Sequence, residues 1–172
     1  GTVAGIFEAH EKFGTLPIQD ILSPVIHLAQ KGYVVTEKQQ RRFTNYRELF
    51  LTVNKDTIPY AKDIIAGDTI KNIVLATTLQ ALIDKGRDGF YKGAVAEKLV
   101  SHLQENGGIL TLDDLASYNA VWRKPVQFTY KDLTVISMSP PSSGGTCLAQ
   151  IMKMIEPYDI KQYGHNQETT IQ

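Results

Sequence analysis

Most of the first 118 positions fall in stretches where apolar residues recur three or four apart, which is the period of a helix with one buried face. Between residues 16 and 29 this spacing continues on both sides of Ser23-Pro24. A serine followed by a proline is typical of an N-cap and the first helical position. We therefore expect a short turn at Ser23-Pro24 that separates two helices.

Residues that can start a helix precede the next periodic stretches. Thr36 and Asn72 each predict a capped helix start, and a further helix is predicted to begin near Gly93 and end at residues 107–108. Residues 53–72 mix Asp, Pro, Gly and Lys without a clear period, and we interpret them as an irregular surface segment.

The segment Thr111-Leu112-Asp113-Asp114 has the pattern of a capping box that opens a short helix. We expect the hydroxyl of Thr111 to accept a hydrogen bond from the backbone N–H of Asp114, while both carboxylates complement the positive end of the helix dipole. Paired carboxylates can also serve acid–base chemistry, but the capping role explains them without it.

The period changes to two after residue 120. Residues 121–130 and 133–138 are rich in Val, Trp, Phe, Tyr and Ile, and the two residues between them form a turn, which predicts a β-hairpin. We expect Trp122 to be a strand residue packed on the core, although beside Arg123 it offers an alternative cation–π site. A lone hairpin is marginal in water, so helices or another sheet must pack on it.

A turn rich in Pro and Ser at residues 139–145 opens a final amphipathic helix. Cys147 lies among the apolar residues of this helix, so we expect a buried, inert thiol. The residues that we expect this helix to bury are Leu148, Ile151, Met152 and Ile155.

These elements predict an α+β fold that is helix-rich with one β-hairpin. The chain divides into a helical lobe at residues 1–118, the hairpin at 119–138, and the turn with its following helix at 139–172. Residues 165–172 have the pattern of the first turn of another helix. Because both ends of the chain fall inside predicted elements, we expect it to be an internal piece of a larger domain.

Charge and composition argue against several classes of site. The 18 basic and 18 acidic residues give a formal net charge of zero, which does not favour nucleic acid or an acidic membrane surface as a partner. No run approaches the ~18 apolar residues that span a bilayer. The single cysteine allows no internal disulfide and no zinc site built on several thiolates. Four isolated histidines are interpreted as surface or internally satisfied residues: His10, His27, His102 and His165.

The sharpest candidate for binding chemistry is the turn formed by Ser142, Ser143, Gly144 and Gly145. Two glycines let backbone approach a ligand closely, and the N-terminus of the following helix presents N–H groups to a carboxylate or an oxyanion. The alternative, which the residues themselves favour, is a tight turn with a serine cap. A serine nucleophile is favoured less, because the sequence nominates no base to activate it. No residue of the chain is predicted to be catalytic.

Several distinctive segments follow one another in the order found in γ-glutamyltransferases, also called γ-glutamyltranspeptidases. They span nearly the whole chain, and the run Met-Ser-Pro-Pro-Ser-Ser-Gly-Gly is close to a signature of that family. The chain therefore resembles an internal part of the family's large subunit. The matching segments are residues 1–5, 12–16, 24–35, 84–93, 106–111, 113–118, 122–126, 138–145 and 164–166.

The resemblance implies an N-terminal nucleophile hydrolase, a four-layer α/β/β/α sandwich whose precursor cuts itself into a large and a small subunit. The new N-terminal threonine of the small subunit would attack the γ-glutamyl amide of glutathione or a similar donor, with its own α-amine as general base. Water, an amino acid or a peptide would then resolve the γ-glutamyl-threonine ester. That threonine and the arginine that holds the donor's α-carboxylate lie outside the matching segments, so we expect this chain to be inactive alone.

The resemblance further implies the small subunit of the same precursor as a partner, a glutathione-like donor in the full enzyme, no metal or organic cofactor, and a periplasmic or extracellular location. Two alternatives stay open. In the first, the chain is part of a related acylase that acts on β-lactam side chains or poly-γ-glutamate. In the second, it is a non-catalytic structural or interaction lobe.

Overall fold

The computed structural model describes residues 1–54, 58–165 and 167–168. The chain forms two compact units, Gly1–Ala120 and Val121–Gln172, and the predicted α+β class, helix-rich with one β-hairpin, is confirmed. In chain order the elements are α1 (Thr2–Phe13), α2 (Ile18–Lys31), β1 (Tyr33–Val34), α3 (Glu37–Val53), a 3₁₀ turn (Pro59–Ala61), β2 (Thr69–Ile70), α4 (Ile73–Lys85), α5 (Asp88–Tyr91), α6 (Gly93–Glu105), α7 (Leu112–Ser117), β3 (Val126–Tyr130), β4 (Leu133–Ser137), α8 (Gly144–Ile155) and α9 (Ile160–Tyr163).

Helix α2 runs without a break through Pro24, so the predicted turn at Ser23-Pro24 is wrong. Proline removes one backbone donor from a helix interior. The hydroxyl of Ser23 does not cap a new helix but donates to the carbonyl of Gln19 at 2.6 Å, one turn earlier in the same helix. Packing of α2 along α4, with Ile26 buried, offsets the cost of the proline.

A short antiparallel ladder of β1 and β2 lies in a region where the sequence predicts no strands. The N–H of Val35 extends it by donating to the carbonyl of Asp68 at 2.8 Å, and the N–H of Gly67 donates to the carbonyl of Val35 at 2.9 Å. These bonds close the base of the segment between β1 and β2, which carries α3. Strands of two residues show no alternation, so their pairing cannot be predicted from period. Residues 55–57 of the segment interpreted as irregular lie outside the described residues.

Helices α5 and α9 are also absent from the sequence-based expectations, because a helix of four residues is too short to show a period. The helix start predicted for residues 165–172 lies mostly outside the described residues. By contrast, the caps predicted at Thr36 and Asn72 are confirmed: their side chains accept from the backbone N–H groups of Gln39 and Leu75.

The core of the first unit combines small and large side chains from α1, α5, α6 and α7. Ala96 and Ala4 are 0% and 1% exposed, so the backbones of α6 and α1 are closely covered by their neighbours. The hydroxyl oxygen of Tyr91 accepts from the backbone N–H of Ala4 at 3.3 Å. The buried members of this cluster are Ala4, Tyr91, Ala96, Val100 and Leu115.

Arg87 ties the start of α5 to the end of α7. Its guanidinium lies 4.6 Å from the ring centroid of Tyr91, and that ring stacks on Tyr118 with centroids 5.7 Å apart. One guanidinium nitrogen donates to the carbonyl oxygen of Tyr118, and the other lies 3.2 Å from a carboxylate oxygen of Asp88. A planar fork is needed to stack on a ring and donate in two directions, which an ammonium cannot reproduce.

In the second unit the hairpin pairs Val126 with Ser137 at one end and Tyr130 with Leu133 at the other. The predicted hairpin is confirmed, but its first strand begins at Val126, so the expected strand over residues 121–125 is wrong. Proline at position 125 cannot donate to a ladder, which explains where pairing ends. Trp122 is 53% exposed, so the prediction that it packs on the core as a strand residue is also wrong.

Helix α8 packs on both strands of the hairpin and buries Gly145. Cys147 is exposed and Ile151 is 55% exposed, so the predictions that both are buried are wrong. Residues four positions apart share a helix face. Cys147 and Ile151 therefore lie together on the face that points away from the hairpin, whereas Leu148 and Met152 are half-buried.

Replacing Arg87 with lysine tests the tie between α5 and α7. We expect Arg87→Lys to lower the free energy of unfolding by about 1–2 kcal/mol, because an ammonium cannot stack flat on Tyr91 while it also bonds to the Tyr118 carbonyl and to Asp88. Urea unfolding followed by circular dichroism measures the change. Arg41→Lys, at an exposed position of α3, is the matched control and should change little; equal effects of the two substitutions would show that the stacked network adds no stability.

Candidate functional site

The turn predicted to bind a ligand joins β4 to α8. Ser143 and Gly144 are exposed, Ser142 is half-buried and Gly145 is buried. The Oγ of Ser142 accepts from the backbone N–H of Gly144 at 3.3 Å. The carbonyl of Ser143 accepts from the N–H of Cys147 at 2.9 Å, which is the first helical bond of α8. Ser143 itself makes no side-chain cap, so the serine that satisfies a helix N–H is Ser142.

The two glycines of this turn have different surroundings. A Cβ on Gly145 would overlap the carbonyl oxygen of Met138 and lie 3.2 and 3.3 Å from the Cβ atoms of Val126 and Ser137. Gly145 is therefore the point where the backbone of α8 touches the hairpin. Among the described residues, a Cβ on Gly144 would approach only the Oγ of Ser142, at 3.5 Å, which is an ordinary contact.

Two charged side chains hold this arrangement at its ends. Arg123 donates to the carbonyl of Pro140 at 3.2 Å and so fixes the start of the turn. Glu156, just after α8, accepts from the backbone N–H of Lys131 at 2.7 Å and lies 2.7 Å from the ammonium of Lys153. The bond from Lys153, followed by that from Lys131, lowers the pKa of the Glu156 carboxyl. Sequence reasoning missed both roles, because backbone partners 17 and 25 residues away leave no pattern.

Asp114, in the acidic pair at the start of α7, has the capping role expected from the sequence. The Oγ1 of Thr111 accepts from the N–H of Asp114 at 3.1 Å, and the Asp114 carboxylate accepts from the N–H and the hydroxyl of Thr111 at 2.8 and 2.7 Å. The bond from the Thr111 hydroxyl, followed by that from its N–H, lowers the pKa of Asp114. An acid held ionised in this way is suited to capping and not to general-acid catalysis.

The remaining candidates are the histidines, possible metal ligands and possible membrane-spanning helices. The Nε2 of His10 is 2.8 Å from the carbonyl of Leu16, which makes this histidine internally satisfied. Among residues 1–54, 58–165 and 167–168, no three His, Cys, Asp or Glu side chains form a group that could hold a metal ion. Within the same ranges, none of the helices combines the length and the apolar character needed to cross a bilayer.

Two surface cavities of about 290 Å³ each lie along the segment between the 3₁₀ turn and α4. Lys62, Asp63 and Ile64 line both of them, and both are open to solvent. Neither is lined by the turn at 142–145. That turn packs α8 on the hairpin through Gly145, and the N–H groups of Ser142 and Gly144 are bonded to Ser139 and Ser142. The prediction that Ser142, Ser143, Gly144 and Gly145 meet a substrate stays a prediction.

Replacing each glycine with alanine tests which of the two is required for packing. We expect Gly145→Ala to destabilise the protein by about 1–3 kcal/mol, because α8 must move off the hairpin to make room. Gly144→Ala is the matched control and should be neutral or stabilising by up to about 1 kcal/mol, because alanine favours a helix more than glycine does. Thermal or urea unfolding of the two variants measures the difference; a loss for Gly144→Ala as large as that for Gly145→Ala would contradict this account.

We expect the Glu156→Gln variant to lose less stability than the parent protein as the pH falls. Because the folded state lowers the pKa of Glu156, its contribution is fully present above the ordinary value near 4.5 and disappears as the pH falls through the lowered folded value. Glutamine still accepts from Lys131 but has no charge to lose. Unfolding temperatures measured from neutral to acidic pH test this, with Glu97→Gln, exposed on α6, as control. The prediction fails if both variants lose stability in acid as steeply as the parent protein.

Comparison with known proteins identifies relatives along the entire chain. The family described as Gamma-glutamyltranspeptidase matches residues 1–172. The glutathione hydrolase proenzyme of Escherichia coli is 35% identical over 176 residues, which cover 100% of this chain and 30% of the relative. The proenzyme of the same description from Pseudomonas aeruginosa is 39% identical over 158 residues, covering 91% of this chain and 28% of the relative.

A solved structure has the same fold. The crystal structure of Helicobacter pylori γ-glutamyltranspeptidase superposes with a TM-score of 0.92 at 39% identity and covers 99% of this chain and 50% of that chain. The chain thus spans half of the H. pylori chain and no more than 30% of the length of the E. coli and P. aeruginosa relatives.

Proposed function

The chain belongs to the γ-glutamyltranspeptidase family, and from this premise we propose that the whole protein cleaves the γ-glutamyl amide of glutathione and related compounds and transfers the γ-glutamyl group to an amino acid, a peptide or water. The observation that carries the proposal is a match of sequence and fold that runs through the whole chain. The relatives described as glutathione hydrolases support glutathione as the donor.

The proposed reaction has two steps. The hydroxyl oxygen of a threonine attacks the γ-carbonyl carbon of the donor, the amide C–N bond breaks, and the amine leaves with the proton that the threonine gives up. Water or an acceptor amine then attacks the resulting ester, releases the γ-glutamyl product and returns the proton to the threonine oxygen. We place this threonine outside the chain, which would therefore be inactive alone.

The proposed role of the chain is that of a lobe that supports the catalytic part of the enzyme. Among the described residues, β3 and β4 pair only with each other, so each has one edge open to a further strand. We infer that the hairpin joins the sheets of an α/β/β/α sandwich and that the small subunit of the same precursor is the partner. The description of the relatives as proenzymes supports such processing. The periplasmic or extracellular location stays a prediction.

Release of the chromophore from a γ-glutamyl anilide tests the proposal. We expect the precursor to become active after it has cut itself, and the chain of residues 1–172 to show no turnover at the same concentration. A precursor whose threonine at the cleavage point is replaced by alanine is the matched control, because it keeps this lobe and loses the nucleophile.

Two results would overturn parts of the proposal. Turnover by the isolated chain would mean that it holds catalytic groups, and Ser142 and Ser143 would be the first residues to replace with alanine. A mature enzyme that releases no anilide but hydrolyses a β-lactam side-chain amide or poly-γ-glutamate would belong to the acylase alternative.

A further inference from the structure

Asn106 and Gly107 form the only Asn-Gly pair among the six asparagines of the sequence. They lie at the C-terminal end of α6, and both are exposed. Asn-Gly is chemically reactive, because a glycine leaves the backbone nitrogen free of steric hindrance when it attacks the side-chain amide carbon of the residue before it. We propose that Asn106 is a deamidation site that the folded end of α6 keeps closed.

The end of α6 holds the attacking nitrogen in a hydrogen bond. The N–H of Gly107 donates to the carbonyl of Gln104 at 3.1 Å, and the N–H of Gly108 donates to the carbonyl of Leu103 at 2.7 Å. With Gly107 at a φ of 84°, these bonds form a Schellman motif, the common way to end a helix. The nitrogen that must attack Asn106 is therefore already a donor in the helix cap.

The side chain of Asn106 is held as well. Its Nδ2 donates to the carbonyl of His102 at 2.8 Å, one turn back in α6. Its backbone ψ is 18°, close to the helical range. Closing a five-membered ring requires rotation about both the backbone and the side-chain bonds of Asn106. Neither rotation is possible while the bonds to His102 and Gln104 stay in place, so the last turn of α6 must open first.

The reaction balances with water as the only co-reactant. The nitrogen of Gly107 loses its proton to solvent and bonds to the side-chain carbonyl carbon of Asn106, and ammonia leaves with a proton from solvent. Water then opens the cyclic imide at one of its two carbonyl carbons. One opening gives aspartate at position 106, and the other gives isoaspartate, in which the main chain runs through the former side chain.

Either product weakens the end of α6. A carboxylate at position 106 sits at the negative end of the helix dipole and no longer donates to the carbonyl of His102. Isoaspartate also adds a carbon to the main chain and breaks the spacing of the Schellman bonds. Because α6 buries Ala96 and Val100 in the core of the first unit, loosening its end also weakens the packing of that core.

The test follows deamidation of the intact protein in mildly alkaline buffer, with and without urea. Digestion and mass spectrometry quantify the mass gain at Asn106, and enzymatic methylation quantifies isoaspartate. We expect the reaction to be slower by about tenfold or more in the folded protein than in urea, because only the opened helix end reacts. Equal rates in the two conditions would overturn the proposal, and so would a faster reaction in the folded protein.

A matched pair of variants tests whether the cap of α6 protects Asn106. A Cβ on Gly108 would lie 2.8 Å from the carbonyl oxygen of Leu103, so Gly108→Ala disturbs the cap without changing the Asn-Gly pair. Gly5→Ala, in α1, meets no atom of the described residues within 4 Å and is the control. We expect Gly108→Ala, but not Gly5→Ala, to speed deamidation of Asn106 in the folded protein. In urea we expect neither variant to change the rate. If Gly108→Ala deamidates in the folded protein at the same rate as Gly5→Ala, the cap does not protect Asn106. If Gly108→Ala does not fold, the comparison of the parent protein with and without urea remains decisive.

Discussion

Close approach of backbones at residues with little or no side chain is the constraint on which both units depend. In the second unit, α8 meets the hairpin at Gly145, where any side chain would overlap the carbonyl of Met138. In the first unit, a Cβ on Gly89 would overlap the carbonyl of Ala81, and Ala4 and Ala96 are almost fully buried. Larger residues at these points would force the elements apart and expose the apolar groups around them. The long side chains then fasten elements that are already close, as Arg87 does beside Tyr91.

Helices α2 and α8 each carry apolar side chains that the described residues of their own unit leave exposed. On α2, Ile21, Val25 and Leu28 are 42–53% exposed although Ile26 is buried, and on α8 Ile151 and Met154 are 55% and 70% exposed. Contiguous apolar surface of this kind marks contact with another part of a protein. It fits the proposal that the chain is one lobe of a larger enzyme, because the chain spans only part of the length of its relatives.

The sequence predicts the parts of this fold that depend on local chemistry. The caps at Thr36, Asn72 and Thr111 follow from side chains that bond to N–H groups three residues away, and each is found in the structure. Features that depend on distant contacts are missed. The apolar residues around Cys147 predict a buried thiol, but only the position of the hairpin decides which side of α8 is covered.

The same distinction applies to the candidate site. Ser142, Ser143, Gly144 and Gly145 stand out as a motif, but being distinctive does not mean that all four bind a ligand. Packing on the hairpin fully explains Gly145, and the bond to Gly144 explains Ser142. Gly144 is different, because it is exposed and none of its described neighbours excludes a side chain there. If the motif approaches a substrate or the small subunit, Gly144 is where glycine serves that contact, since the fold of this unit does not require it.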